Sequence, residues 1–203
     1  MYDDIIIGVL VSGRGTNLQS IIDSIEDGRL NAEIGIVISD NPEAKALDRA
    51  EKYGLNNVYI GKEDFATTEE YEAQMVEVLK ENEVELVAMA GFMTFLSSYF
   101  IDQYRNRIMN IHPSLLPAFP GPNAQEQALD YGVKISGCTV HFADEGIDSG
   151  PVILQEAVPV LEGDTIESLS RRILAEEHRI YPKAIQLFAN GRLVVKNNKV
   201  EIL

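Results

Sequence analysis

The sequence predicts an α/β fold of three layers, in which a mostly parallel, twisted sheet of about seven strands carries helices on both faces. Short apolar runs, the first at residues 5–11, alternate with segments of helical periodicity through the first half of the chain. Two polar residues, Asn110 and His112, interrupt a later apolar run that stops at Pro113. Turn-rich segments farther along predict one antiparallel strand and a C-terminal hairpin.

The first predicted strand leads into a glycine-rich turn. Residues 12–17 follow this strand, and Leu18, Ile21 and Ile22 then recur at helical spacing. A strand, such a turn and a helix in that order can hold a phosphate, which predicts a Rossmann-like N-terminal half. A dinucleotide fingerprint would need glycine at position 18, and the Walker lysine is missing, so a single phosphate is favoured. The alternative is a tight turn that only packs the helix on the strand.

The remaining elements follow from apolar runs, caps and proline positions. Further strands are predicted at residues 32–39, 57–60, 86–90, 108–112, 135–142 and 152–158, a hairpin at residues 192–195 and 199–202, and helices at residues 41–53, 67–81, 124–131 and 165–189. Three prolines make residues 113–121 a stiff, ordered loop. The composition changes near Gln103, which predicts two halves, residues 1–103 and 104–203, in one continuous sheet that is effectively a single domain.

Composition limits the classes of function. A chain of 203 residues with 45% hydrophobic content can bury a core, and its net charge of −15 argues against a nucleic-acid surface. No apolar run reaches the roughly 20 residues that a membrane span needs, and the first four residues lack the basic start of a signal peptide. A single cysteine, Cys138, has no internal disulfide partner. We therefore expect a cytoplasmic protein with neither nucleic-acid nor membrane partners.

Three polar residues are predicted to form a catalytic site. Asn110 and His112 are two residues apart in a strand, so their side chains share one face near its carboxyl end, where open α/β sheets bind ligands. The loop at residues 144–151 adds carboxylates, among them Asp148. An amide, an imidazole and a carboxylate together suit proton transfer and stabilisation of an oxyanion. Taken singly, each residue has a simpler explanation as a turn residue or a structural histidine.

The chain resembles the folate-dependent formyltransferases, and in particular their glycinamide ribonucleotide branch. The resemblance covers essentially the whole chain and rests on these motifs: Val11-Ser12-Gly13-Arg14-Gly15-Thr16-Asn17-Leu18-Gln19, Ala90-Gly91-Phe92-Met93, Asn110-Ile111-His112-Pro113-Ser114-Leu115-Leu116-Pro117, Val140-His141-Phe142 and Asp148-Ser149-Gly150-Pro151-Val152-Ile153. The first motif and a chain that ends near 200 residues favour the glycinamide branch, since related formyltransferases and hydrolases carry additional domains. The resemblance implies transfer of a formyl group from 10-formyltetrahydrofolate to the amine of glycinamide ribonucleotide in purine biosynthesis, without a metal.

The resemblance also assigns roles to individual residues. It makes residues 1–103 the phosphate-binding half and residues 104–203 the catalytic and folate-binding half. The implied catalytic residues are Asn110, His112 and Asp148, the substrate-binding residues are Gly15, Thr16, Asn17, Asn110 and Glu177, and the folate-binding residues are Thr68, Met93, Thr94, Phe95, Leu96, Asn110 and Asp144. Some members carry arginines that can meet the folate's glutamate tail where this chain has Thr68 and Thr94.

The chemistry requires stabilisation of negative charge on the formyl oxygen. We expect the Asn110 amide and a protonated His112 to donate to that oxygen, with His112 also acting as the general acid. Asp148 is expected to favour the imidazolium, because an opposite charge within about 4–6 Å raises the pKa of a histidine.

Several alternatives stay open at the level of sequence. A metal hydrolase could use His112, His141 and Asp148, although no short His-x-x-x-His spacing supports it. His141 could equally be a structural histidine. A non-catalytic module that binds a sugar phosphate would need only the glycine-rich turn. Within the superfamily, a formyltetrahydrofolate hydrolase or another folate-dependent formyltransferase is the nearest rival, and either a monomer or a homodimer is compatible with the sequence.

Overall fold

The computed structural model describes residues 4–203, so the prediction about a signal peptide, which concerns Met1, Tyr2 and Asp3, lies partly outside the described residues. The chain divides into two compact units, one ending at Met109 and the other beginning at Asn110. The boundary predicted near Gln103 stays a prediction. Within residues 4–203, no helix combines the length and the apolar character that crossing a membrane requires.

The first unit is built from parallel strands separated by helices. Its elements are β1 (Ile5–Val11), α1 (Thr16–Glu26), β2 (Ala32–Ser39), α2 (Lys45–Lys52), β3 (Asn57–Tyr59), a 3-10 turn (Lys62–Asp64), α3 (Thr68–Glu81), β4 (Leu86–Met89), α4 (Ser98–Gln103) and the start of β5 (Ile108–His112). Strand β1 pairs in parallel with both β2 and β4, with Val11 opposite Ser39 and Leu10 opposite Met89. The last five residues of β1 are buried, as expected for a strand covered on both faces.

The second unit contains an antiparallel strand pair and a long helix. It consists of the end of β5, α5 (Ala124–Tyr131), β6 (Ile135–Phe142), β7 (Val152–Pro159), α6 (Ile166–Ala189) and the hairpin strands β8 (Leu193–Lys196) and β9 (Lys199–Ile202). Strands β6 and β7 are antiparallel, and α6 packs on both. Thr165 and Ser168 form a capping box at the start of α6, which satisfies N–H groups that the helix leaves free.

The strand order is β3-β2-β1-β4-β5-β6-β7, and β8 and β9 form a separate pair. The predicted fold class is therefore confirmed, including the single antiparallel strand and the hairpin. Asn197 and Asn198 turn the hairpin with φ of 49° and 58°, the conformation of a type I′ turn.

One local prediction was wrong, and one short helix was not predicted. Helix α2 begins at Lys45 rather than at residue 41, because Asn41 folds into a turn in which its Oδ1 accepts the Glu43 N–H. Helix α4, of six residues, was not predicted from the sequence. Its N-cap residue, Ser97, is held by the buried carboxylate of Glu72, a contact between distant residues that periodicity cannot reveal.

Candidate active site

Asn110 and His112 lie near the end of β5 and meet a common partner, Asp148. The Asn110 Nδ2 donates to Asp148 Oδ1 at 3.3 Å, and His112 Nδ1 lies 3.3 Å from Asp148 Oδ2. The alternation of a strand places Asn110 and His112 on one face, as the sequence predicted. The structure thus brings the predicted amide, imidazole and carboxylate together.

Asp148 is held in place by its backbone as well as by its partners. Its φ of 50° lies in the left-handed region, which an aspartate tolerates better than most residues. The N–H of Gly121 donates to Asp148 Oδ2 at 2.8 Å. Gly150, two residues on, packs so closely that a Cβ there would lie 1.9 Å from the Phe142 carbonyl oxygen. The hydrogen bond from Gly121 and the close packing at Gly150 therefore fix the position of the Asp148 carboxylate.

The electrostatics of Asp148 keep it ionised. Burial alone would raise its pKa, but the contact with His141, the Gly121 N–H and the charge of His112 together hold the pKa below its ordinary value. The side chain is 13% exposed, so these interactions act with little screening by water. A permanent negative charge consequently faces His112.

The ring of His112 lies between two acceptors. Its Nε2 donates to the Phe119 carbonyl oxygen at 2.9 Å, while its Nδ1 faces the Asp148 carboxylate. A neutral ring carries one proton and can satisfy only one of these acceptors, whereas the imidazolium satisfies both. The arrangement of partners therefore favours the charged form.

Burial of His112 opposes this preference and outweighs it. Desolvation lowers the pKa of His112, the Phe119 carbonyl and Asp148 raise it, and His141 lowers it, with a net result below the ordinary value. Asp148 does raise the pKa of His112, as expected, but the cost of burying the cation exceeds the combined effect of the Phe119 carbonyl and this carboxylate. Asp148 limits the decrease rather than reversing it.

His141 is a fourth member of the cluster, and it is buried at the end of β6. Its Nδ1 lies 2.9 Å from the Phe142 carbonyl oxygen, so Nδ1 carries the proton and donates. With a proton on Nδ1, the Nε2 accepts from Asn110 Nδ2 at 3.2 Å, and it also lies 3.7 Å from Asp148 Oδ1. The two N–H groups of Asn110 are thereby divided between His141 and Asp148.

The proline-rich loop at residues 113–121 supports the site. Thr139 on β6 donates its hydroxyl to the Ser114 carbonyl oxygen at 2.7 Å and accepts the Leu116 N–H at 3.1 Å. Gln155 on β7 donates to both the Leu116 carbonyl oxygen and Thr139 Oγ1. These bonds fix the loop whose Phe119 carbonyl and Gly121 N–H contact His112 and Asp148, in agreement with the predicted ordered loop.

Asp144 organises the loop that carries Asp148. Its Oδ1 accepts the Gly146 N–H at 3.1 Å and the Ser149 hydroxyl at 2.7 Å. A Cβ at residue 146 would lie 2.0 Å from Ser149 Oγ, so a side chain here would displace the Ser149 hydroxyl from Asp144. Asp144 was predicted to bind folate, and that role stays a prediction.

The glycine-rich turn of the first unit opens α1. Gly15 is the N-cap with φ of 69°, and a Cβ there would lie 2.7 Å from the Ala46 Cβ. Both the backbone conformation and the contact with α2 therefore require glycine. The first turn of α1, residues 16–19, carries no acidic side chain, and the side chain of Asn17 is buried. This end of the helix suits an anion.

The loop after β4 presents an exposed apolar tip. Met93 is 73% exposed and Phe95 is 65% exposed, whereas Thr94 is half-buried and donates its hydroxyl to Asp40 Oδ2 at 2.7 Å. Leu96 is half-buried, and Thr68 is the first residue of α3. Large exposed apolar side chains next to polar groups are typical of a ligand-binding surface.

Glu177 lies on α6 in the second unit and is 6% exposed. The predicted roles of Glu177, of the glycine-rich turn and of the loop after β4 stay predictions.

Two contributions to the cluster could not be read from the sequence. The Phe119 carbonyl and the Gly121 N–H are backbone groups, which a pattern of side chains does not reveal. His141 was left between a structural and a ligand role, and the available signal was its position near the end of a strand. Among residues 4–203, no group of three or more His, Cys, Asp or Glu side chains has an arrangement that could hold a metal ion.

The mostly parallel sheet and its amide–imidazole–carboxylate cluster define an α/β protein equipped for acid–base chemistry at strand ends. Comparison with known families narrows this class. Residues 6–185 match the formyl transferase family, and the chain belongs to that family. The resemblance seen in the sequence is thereby confirmed.

Individual relatives agree with this assignment. The chain is 38% identical to phosphoribosylglycinamide formyltransferase of Bacillus subtilis over 193 residues, covering 95% of this chain and 96% of the relative. It is 45% identical to the human trifunctional purine biosynthetic protein adenosine-3 over 95% of this chain, but spans only 19% of that protein's length. The crystal structure of glycinamide ribonucleotide transformylase 1 from Symbiobacterium toebii superimposes with a TM-score of 0.98 at 52% identity, covering 100% of this chain and 96% of that one.

Proposed function

We propose that this protein transfers the formyl group of 10-formyltetrahydrofolate to the primary amine of glycinamide ribonucleotide, as a step of purine biosynthesis. The observation that carries the proposal is the convergence of Asn110 and His112 on Asp148, each at 3.3 Å. The names of relatives that the chain covers almost completely supply the acceptor, glycinamide ribonucleotide. The formyl donor is proposed from the resemblance of the sequence to the folate-dependent formyltransferases. We propose further that the protein acts in the cytoplasm as a monomer or homodimer on these two small molecules.

The reaction begins when the amine attacks the formyl carbon, and the formyl oxygen becomes negatively charged. Asn110 donates an N–H to this oxygen, and a protonated His112 provides the second donor. Because both N–H groups of Asn110 already have acceptors, one of its hydrogen bonds to His141 or Asp148 is exchanged for the bond to the oxygen. His141 and Asp148 thus hold the amide in position until then.

His112 then completes the transfer. The carbon–nitrogen bond to the folate breaks, and His112 gives its proton to the leaving nitrogen. The attacking amine loses a proton to a water molecule between the amine and His112. The neutral His112 then takes up a proton from that water. The lowered pKa of His112 makes it a stronger acid, while Asp148 stabilises the cation during the step.

The other predicted residues bind the two molecules. The backbone N–H groups of Gly15, Thr16 and Asn17 hold the substrate phosphate at the start of α1, and the Glu177 carboxylate accepts from the ribose hydroxyls. The folate contacts Asn110, Thr68, Asp144 and the loop that comprises Met93, Thr94, Phe95 and Leu96. The exposed Met93 and Phe95 provide apolar surface for a flat ring.

An absorbance assay of folate deformylation, run with and without glycinamide ribonucleotide, tests the proposal. We expect deformylation that requires the ribonucleotide and is lost in His112→Ala, while Asp102→Asn, which changes an exposed carboxylate, retains it. Deformylation without the ribonucleotide would identify a formyltetrahydrofolate hydrolase instead. Ribonucleotide binding without any reaction would identify a sugar-phosphate-binding module.

A further inference from the structure

Ser12 connects the glycine-rich turn to two other loops of the first unit. Its N–H donates to the Gly91 carbonyl oxygen at 3.1 Å, and its Oγ accepts the Met93 N–H at 2.8 Å. Its carbonyl oxygen accepts from Asn41 Nδ2 at 3.1 Å. One residue therefore holds the loop after β4 and the loop after β2 against the end of β1.

The register of the sheet explains why Ser12 can do this. Val11 is opposite Ser39 on β2, and Leu10 is opposite Met89 on β4. The residues that follow these three parallel strands therefore leave the sheet at one edge and at a similar level. Ser12 follows the central strand of the three, so it reaches both neighbouring loops.

A second bond closes the three loops into a ring. The Thr94 hydroxyl donates to Asp40 Oδ2 at 2.7 Å, and Asp40 precedes the Asn41 that donates to Ser12. Asn41 is itself fixed, because its N–H donates to Ser39 Oγ and its Oδ1 accepts the Glu43 N–H. Moving the loop after β4 thus requires breaking bonds at both Ser12 and Asp40.

The far end of the loop after β4 is anchored independently. Both carboxylate oxygens of the buried Glu72 accept from Ser97, one from its N–H at 2.7 Å and the other from its hydroxyl. Burying a carboxylate costs free energy unless hydrogen-bond donors replace its lost hydration. Breaking either bond from Ser97 would restore this cost, so Glu72 holds Ser97 strongly. Any movement of residues 93–96 is therefore expected chiefly at the end of the loop that Ser12 holds.

We propose that Ser12 is a positioning residue that couples the phosphate-binding turn to the folate-binding loop, so that each substrate tightens the binding of the other. The proposal rests on the proposed function, since it takes the two ligands from there. A phosphate at the start of α1 orders the turn that begins at Gly13, and Ser12 transmits this order to Met93 and its neighbours. The second ligand then binds a loop whose motion is already restrained, so the loop loses less conformational entropy on binding.

The test measures binding in a complex that cannot react. Tetrahydrofolate carries no formyl group, so it can occupy the protein together with glycinamide ribonucleotide. Calorimetry measures the Kd of each compound alone and with the other at saturation, and the ratio of the two values is the coupling. By linkage, the ratio must be the same for both compounds.

Two variants make the comparison specific. Ser12→Ala removes the acceptor of the Met93 N–H and leaves the backbone bonds of Ser12 in place. Ser24→Ala is the matched control, because the buried Ser24 hydroxyl has no hydrogen-bond partner among the described residues. Circular dichroism checks both folds. Should Ser12→Ala fail to fold, Asp40→Ala, which removes the acceptor of the Thr94 hydroxyl, replaces it.

We expect a coupling of about fivefold or more in the wild type and in Ser24→Ala. In Ser12→Ala the coupling is expected to fall to about one, while the Kd of glycinamide ribonucleotide alone changes little. A merely structural role would weaken both compounds and leave the ratio intact, and that outcome overturns the proposal. Absence of coupling in the wild type overturns it as well. If the wild type binds neither compound, the proposed function itself fails, and the coupling fails with it.

Discussion

The Oδ2 atom of Asp148 lies 3.3 Å from His112 Nδ1, although the pKa of His112 is below its ordinary value. The carboxylate favours the imidazolium, and burial disfavours it more strongly. The Phe119 carbonyl and Asp148 together therefore limit how far the pKa of His112 falls. A histidine with a lowered pKa next to a fixed anion can hold a proton for a short time and release it readily, which is the requirement for a general acid.

Asp148→Asn should lower the pKa of His112 further, because the substitution removes the negative charge and leaves the burial unchanged. Turnover should fall by about 10²–10³, within the range for acid–base groups. The titration of the His112 Cε1 proton by NMR measures the first effect, and the formyl-transfer assay measures the second. Asp102→Asn is the control, and a raised pKa of His112 in Asp148→Asn would contradict the prediction.

Asn110→Ala should lower kcat by about 10²–10³, the cost of one lost donor to an oxyanion. The KM for folate should change less, since the bond to the oxygen forms mainly in the transition state. Steady-state kinetics separate the two constants. The control is Asn56→Ala at an exposed loop position, which should keep both constants. A change confined to KM would assign Asn110 to substrate binding alone.

Gly15→Ala should destabilise the protein by about 1–3 kcal/mol, since alanine at a φ of 69° is strained and its Cβ meets Ala46 at 2.7 Å. Urea unfolding measures this loss. Gly13→Ala is the matched control in the same turn, because a Cβ there meets no heavy atom of the described residues within 4 Å. Equal stability of the two variants would show that the turn is less constrained than the structure indicates.

Acidification should reduce stability through His112. The pKa of His112 is lower in the folded chain than its ordinary value of about 6.5, so the unfolded chain binds the proton more tightly. This contribution to stability is complete above about pH 6.5 and is lost as the pH falls towards the folded pKa, with a slope of at most about 1.4 kcal/mol per pH unit. Unfolding free energies of the wild type and His112→Gln, compared between pH 7 and pH 5, should show a weaker dependence in the variant. Parallel curves would contradict the prediction.

Thr139→Val should cost about 1–3 kcal/mol, because the Leu116 N–H and the Gln155 amide lose a buried acceptor. The loop that carries Phe119 should also loosen, so turnover should fall together with stability. Ser136→Ala on the same strand is the control, since the buried Ser136 hydroxyl has no partner among residues 4–203. Thermal unfolding and the formyl-transfer assay measure the two effects.

Most of the fold could be predicted because its signals are local. Each signal determines the structure of its own segment. The apolar run at residues 5–11 forms a buried strand, Pro113 ends the strand before it, and the asparagine pair at residues 197–198 forms the hairpin turn. Helix α4 escaped prediction because its six residues are too few for a periodic pattern and depend on Glu72.

The site was predictable in its members and less so in its electrostatics. The spacing of Asn110 and His112 implied a shared face, but the net pKa of His112 depends on its degree of burial, which the sequence does not give. The contacts of the Phe119 carbonyl and the Gly121 N–H arise from the path of the backbone, and Phe119 itself adopts a φ of 54°.

The division of the Asn110 N–H groups between His141 and Asp148 has a thermodynamic consequence for ligand recognition. A ligand carbonyl that binds Asn110 replaces either His141 or Asp148 as an acceptor, so the number of hydrogen bonds at Asn110 stays constant. The heat released by that contact should consequently be small, and affinity must come from the phosphate and ring ends of the two ligands. Asn110 can then bind the anionic oxygen of the transition state more tightly than the neutral carbonyl of the substrate.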